Sequence, residues 1–181
     1  MAIIQPFRGY LPPPDIAKKV SSPPYDVLSS DEAREMVQNN SDSFLRIIKP
    51  EVDYSPGHIP ENKALHQHAA ENLNTFIRSG KFNQDEDPSF YIYQISMDQH
   101  TQTGIVAAVS VQEYNQGLIK KHEFTRPEKE NDRTQHIEIT NANTGPILLT
   151  FRNDGEFQNH IAGIKNQEAE IIFQADDGTI H

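Results

Sequence analysis

The chain has 181 residues and a formal charge of −10, from 16 Lys+Arg against 26 Asp+Glu, and this acidic balance argues against a phosphate-neutralising nucleic-acid coat. The densest basic run, Lys120-Lys121-His122, is too short to build one. Zero cysteines exclude disulfide frameworks, thiolate metal sites and cysteine nucleophiles, and no apolar run approaches the ~18 residues that a membrane helix needs.

The proline-rich opening carries Ile3, Ile4, Phe7, Tyr10 and Leu11, which predict a strand and a packed extended arm. Ser29 or Ser30 followed by Asp31, Glu32 and Glu35 predicts a capped helix with Ala33, Met36 and Val37 on its apolar stripe. Ser43 to Ile48 is rich in β-formers and stops at Pro50, so it reads as a strand. After a loop from Ser55 to Pro60, Glu61 to Ser79 has a helical period, with Leu65, Ala69, Leu73, Phe76 and Ile77 aligned and Gly80 to end it.

Phe90 to Met97 and Gly104 to Val111 predict an antiparallel hairpin joined by Asp98 to Thr103. A turn at Asn115-Gln116-Gly117 then leads into a third strand, Leu118 to Phe124, which makes a meander. Pro127 opens a helix that runs to about Ile139, and Asn141 to Pro146 break it. Ile147 to Phe151 reads as a strand, Glu156 to Asn166 as a short helix and Glu170 to Gln174 as a last strand. The expected class is α+β, a mostly antiparallel sheet meander with flanking helices in one domain, residues 1–181.

Among the eight His, His66 and His68 lie two apart on a helix, so they point roughly 200° apart and do not share an ion. Both read as solvated surface, and no metal site is expected. The stretch from Lys120 to Gly145 is denser in chemistry-bearing groups. Glu128, Asp132 and His136 line one helical face with Arg133 at its edge. A carboxylate beside an imidazole suits general acid–base work, and a nearby Arg or Lys suits a phosphate or carboxylate ligand. The same stripe is also what a solvated face with i,i+4 ion pairs looks like. Ser21 to Val27 sets Tyr25 and Asp26 behind two stiffening prolines, a pattern equally suited to ligand placement and to a packed arm. Asn141, Asn143 and Gly145 could cap the helix and offer amides to an anion, although they are also ordinary turn residues.

Several ordered blocks together resemble an uncharacterised prokaryotic family, the domain of unknown function 1015. They are Phe7-Arg8-Gly9, Ser22 to Val27, Ser43-Phe44-Leu45 with Pro50-Glu51, Thr101 to Gly104, Lys120 to Pro127 with Asp132-Arg133-Thr134 and His136, and Asn141 to Pro146. Members of that family are typically longer and carry a later Asp-Gly-His-His-Arg block, absent here, so the resemblance implies that this chain is the N-terminal portion of a longer member or a shortened one. The longer members look like relatives of ParB/sulfiredoxin-type proteins. Free serine kinases of that broad fold have a His-Glu pair whose Glu is taken as the base for the serine hydroxyl, and His122-Glu123 resembles that pair.

The resemblance therefore implies phosphoryl transfer or nucleotide and phosphate binding in serine or phosphoserine metabolism. In that reading Glu123 is the base, aided by His122 and His136. Tyr25, Asp26, Lys121, Thr125, Arg126, Asp132, Arg133, Asn141, Asn143, Thr144 and Gly145 surround the substrate or its phosphate. A nucleotide with Mg²⁺ would be the cofactor, the ion riding on the nucleotide. The alternative is a non-catalytic regulatory or binding module related to ParB-like partition proteins, and a third reading makes the segment a scaffold for a site elsewhere. The expected setting is cytoplasmic, with a small phosphorylated or amino-acid ligand, a possible homodimer, and neither nucleic acid nor membrane as partner.

Overall fold

The computed structural model describes residues 2–122, 124–152, 155–165 and 167–181. It is an α+β chain of helices and short antiparallel strands. The chain divides into two compact units, one of residues 1–18, 84–121 and 147–181, the other of residues 19–83 and 122–146. Helix α1 (Ala17–Val20) and strand β3 (Asn83–Gln84) lie where the chain passes between them.

In the first unit, β1 (Ile4–Gln5) pairs antiparallel with β6 (Ala108–Val109), and β4 (Tyr91–Met97) pairs antiparallel with β5 (His100–Val106). The predicted hairpin is present, with a tighter connection than Asp98 to Thr103. The β4–β5 register runs as far as Met97 opposite His100, because Asp98 adopts the left-handed conformation (φ 53°) that acidic and amide side chains tolerate. Strand β2 (Tyr10–Leu11) follows an arm tied down by Phe7–Ser89 backbone bonds in both directions.

Tyr91 anchors this arm. Its hydroxyl accepts the Gly9 amide at 2.7 Å and donates to the Asp85 carboxylate, while its ring lies 5.2 Å from that of Phe7. A Cβ at Gly9 would come within 2.7 Å of the Tyr91 oxygen. Gly9→Ala is therefore expected to destabilise this unit by about 1–3 kcal/mol, read as faster amide exchange along β4, because the ring must move and surrender its bonds.

Among the described residues, the third strand of the meander does not form. Ser110 instead caps α5 (Val111–Asn115) through the Glu113 amide, and the described residues of 118–124 are irregular. The sheets are accordingly separate two-stranded pairs. Ile147 to Phe151 is also irregular, and Glu170 to Gln174 contributes only a bridge from Gln174 to Ile180, which bridges in turn to Ser96 on β4. Helix α7 (Glu156–Lys165) completes the unit, as its sequence predicts.

The second unit is helical: α2 (Ser30–Val37), α3 (Leu45–Ile48), a 3-10 turn at Pro50–Asp53, α4 (Asn62–Arg78) and α6 (Pro127–Thr140). Ser29 closes a full capping box with Glu32, so α2 begins where its sequence predicts. The predicted strand Ser43 to Ile48 is instead a helical turn with Leu45, Ile47 and Ile48 buried. An apolar run flanked on several sides has no period to reveal its state, and packing decides it. The core joins Ala33, Val37, Leu45, Ile48 and Val52, with Tyr25, Leu28 and Phe44 packed on its margin. Among the described residues no helix is long and apolar enough to cross a membrane.

Candidate functional site

Helix α6 starts with Pro127 in its first turn and ends at Asn141, which takes the left-handed conformation (φ 53°) of a terminating residue. Within it, i,i+4 spacing carries Asp132, His136 and Thr140 along one face. His136 is 1% exposed and Thr140 is buried, whereas Glu128, the predicted start of the stripe, is exposed. Thr140 donates its hydroxyl back to the His136 carbonyl at 2.6 Å, which removes one polar group from the helix interior.

Facing this stripe is a residue read from sequence as solvated surface. His66 of α4 is 3% exposed, and its ring meets that of His136 edge to face, 5.3 Å between centroids at 88°. The reason is legible in retrospect: 66, 69, 73 and 76 share a helical stripe, and His66, Ala69, Leu73 and Phe76 are the buried residues of α4. His68 behaves as the two-residue offset requires and turns to a different neighbour, Asp53, at 2.7 Å.

The polar links around this histidine pair form a chain. Arg133 donates from Nε (3.0 Å) and Nη2 (2.7 Å) to Oδ2 of Asp132, and its guanidinium lies 4.4 Å above the Tyr25 ring. The other Asp132 oxygen, Oδ1, stands 3.3 Å from His66 Nε2, close but not aligned as a hydrogen bond. On the far side, His136 Nε2 lies 3.0 Å from the Thr144 hydroxyl. Among the described residues, both nitrogens of His66 and Nδ1 of His136 are buried without a hydrogen-bond partner.

Burial holds both rings neutral at physiological pH. It pushes His136 down to about 4, helped by the neighbouring Arg133 charge and by His66, with Asp132 opposing. His66 is lowered too, chiefly by burial, against the attraction of Asp132. A neutral imidazole both donates and accepts, so the Thr144 contact fits either tautomer. Tyr25 is no free tail residue, since it packs on the Ala33, Val37, Leu45, Ile48 and Val52 core and thereby presents a fixed ring to Arg133.

The structure thus brings together five of the predicted site residues, Tyr25, Asp132, Arg133, His136 and Thr144, and adds His66. Others lie apart. Asp26 is exposed in a turn closed by the Val27 amide on the Pro24 carbonyl. His122, Thr125 and Arg126 are exposed before α6, and the Arg126 carbonyl accepts the Lys129 and Glu130 amides. Asn141 caps α6, and the Asn143 side chain accepts the Gly145 amide at 3.4 Å in a local turn. Lys121 belongs to the other unit, its ammonium 4.8 Å from the Tyr114 ring beside a cavity of about 330 Å³ also lined by Asn115, Gly117, Ile119 and Lys120. Glu123, the expected base, lies outside the described residues. Among the described residues no group of three or more His, Asp or Glu is placed to hold a metal ion.

A family model, protein of unknown function (DUF1015), matches residues 4–181, and the chain belongs to that family. Comparison with curated proteins and with solved structures finds no match.

Proposed function

We propose that this chain binds a small phosphorylated or amino-acid ligand at the cluster of Tyr25, Arg133, Asp132, His66, His136 and Thr144, and that the site serves phosphoryl transfer in serine or phosphoserine chemistry. The observation that carries the reading is Arg133. Its guanidinium is held on two sides, by the Tyr25 ring and by Asp132, so a planar fork of donors is oriented before any ligand arrives. Asp132 takes two of five N–H donors. Beside it, the buried, neutral His136 imidazole holds the Thr144 hydroxyl in place. Charge on a phosphoryl group is offset by a cation of this kind, and little covalent work is asked of the protein.

The serine-directed part of the reading rests on the resemblance of His122-Glu123 to the His-Glu pair of free serine kinases, with Glu123 as the base and Mg²⁺ carried by a nucleotide. The test is isothermal calorimetry of the chain with phosphoserine, serine and Mg-ATP, repeated with Arg133→Ala and Arg133→Lys. Wild-type binding that weakens about tenfold or more in both variants is expected, because Lys keeps the charge but not the fork. Binding that ignores Arg133, or no binding at all, overturns the reading. A turnover assay of Glu123→Gln then separates enzyme from binding module: binding kept with turnover lost supports catalysis, and a wild type that binds without turnover makes it a module.

A further inference from the structure

The histidine pair does something that ligand binding does not require. It is the place where α4 and α6 meet through titratable groups, and those groups are poorly satisfied. Among the described residues, three of the four ring nitrogens are buried without a hydrogen-bond partner, the two rings lie edge to face, and the charges against the pair come from α6: Asp132, 3.3 Å from His66, and Arg133, bonded to that same carboxylate. On the other elements packed against α4, the charged groups Arg46 of α3 and Asp53 of the 3-10 turn are bonded to each other, and Asp53 engages His68 rather than His66. From the turn after α6, the uncharged Thr144 hydroxyl reaches the pair.

We propose that His66 and His136 form an acid-released latch, which holds α6 on α4 while both rings are neutral and lets α6 go when they take up protons. Asp132 can compensate a proton on His66, 3.3 Å away, but it is shared with Arg133 and is outweighed at His136 by burial, by Arg133 and by His66 itself, so a second proton on the pair is left without a counter-charge. Two imidazolium ions with centroids 5.3 Å apart, next to a guanidinium, would repel one another in a site that excludes water. Release frees Arg133 and its neighbours on α6. This reaches beyond the ligand reading, because the latch operates whatever Arg133 binds.

The direction follows from linkage. An exposed histidine takes a proton near 6.5, while packed His136 takes it only at about 4. Between those values the open form binds more protons than the closed one, so lowering the pH favours opening across that window and not below it. His136 by itself multiplies the opening constant roughly 20-fold between about pH 7 and pH 5, and His66 acts in the same direction.

The experiment is hydrogen exchange of the whole chain near pH 7 and near pH 5, corrected for intrinsic exchange, for wild type and for His136→Phe, which keeps an aromatic edge without a proton site. Wild-type amides of 127–140 should open at least 20-fold more at the lower pH while those of 45–48 change little, and His136→Phe should remove most of that rise. An acid response that persists undiminished in a folded His136→Phe overturns the latch. Should that variant fail to fold, an NMR titration of the wild-type imidazoles decides: His66 and His136 both titrating at the ordinary histidine value overturns it, and both titrating well below supports it.

Discussion

Leu45→Ala should lower the stability of the helical unit by about 3 to 5 kcal/mol and weaken any ligand held by Arg133 as well. Leu45 is fully buried on a single helical turn, where Ala33, Val37, Ile48 and Val52 surround it and cannot all collapse into the space left behind. A loss of that size is a large fraction of the ~5–15 kcal/mol by which domains are stable. The consequence for function runs through Tyr25. That ring packs on the same core and supports the Arg133 guanidinium at 4.4 Å, so a loosened core loosens the platform. Urea denaturation followed by helical circular dichroism gives the stability, and phosphoserine calorimetry gives the effect on binding. Met36→Ala is the comparison, since its side chain is 47% exposed and its loss should cost well under half as much. Equal effects of the two substitutions would show that Leu45 does not organise this core.

The elements that the sequence reveals are those with a local signature. α2 has its capping box, α4 its apolar period, α6 its leading proline, and the β4–β5 hairpin its paired runs of β-branched and aromatic residues. The segments that depart from their expected state lack one. Phe44-Leu45-Arg46-Ile47-Ile48 has the residue types of a strand, but the burial of Leu45, Ile47 and Ile48 together is met by a helical turn whose amides bond back to Ser43, Phe44 and Leu45. Ile147 to Phe151 has the same β-rich composition and finds no strand to pair with. The candidate site divides in the same way. Asp132, Arg133 and His136 are visible as one helical face, whereas the contact of Tyr25 with Arg133 crosses more than a hundred residues and leaves no trace in spacing. The polarity of His66 points to solvent, but its position does not. The period 66, 69, 73, 76 places it with the core.

That same periodicity explains why α4 serves two neighbours, and it sets the second large effect. His66 and His68 are two residues apart, so they leave the helix on nearly opposite sides. On the His68 side, Asp53 accepts from Arg46, from His68 at 2.7 Å and from the Asn72 amide at 3.1 Å, while Asn72 also donates to the Arg46 carbonyl at 2.8 Å. Arg46 further donates to the Val37 and Asn40 carbonyls, which ties α2, α3 and the 3-10 turn to the flank of α4. One carboxylate thus holds two side chains of α4, His68 and Asn72, opposite its buried face. On the other side of the helix His66 meets His136.

Asp53→Ala should consequently cost about 2–4 kcal/mol, since it removes the carboxylate shared by a partly buried guanidinium, an imidazole and an amide, although Arg46 and Asn72 keep their backbone acceptors. His68→Gln and Asn72→Ala should each cost less than this, and the His68→Gln, Asn72→Ala double variant should fall short of the sum of its singles, because all three groups share one partner. Urea denaturation of the four variants provides the comparison. The sharper readout is at a distance: in Asp53→Ala the His136 imidazole should move back toward the ordinary histidine range, because a rotated α4 no longer covers it. A destabilised Asp53→Ala in which His136 keeps its low value would leave Asp53 a stabilising residue only, with the packing of α4 on α6 maintained by Ala69, Leu73 and the rest of the apolar stripe.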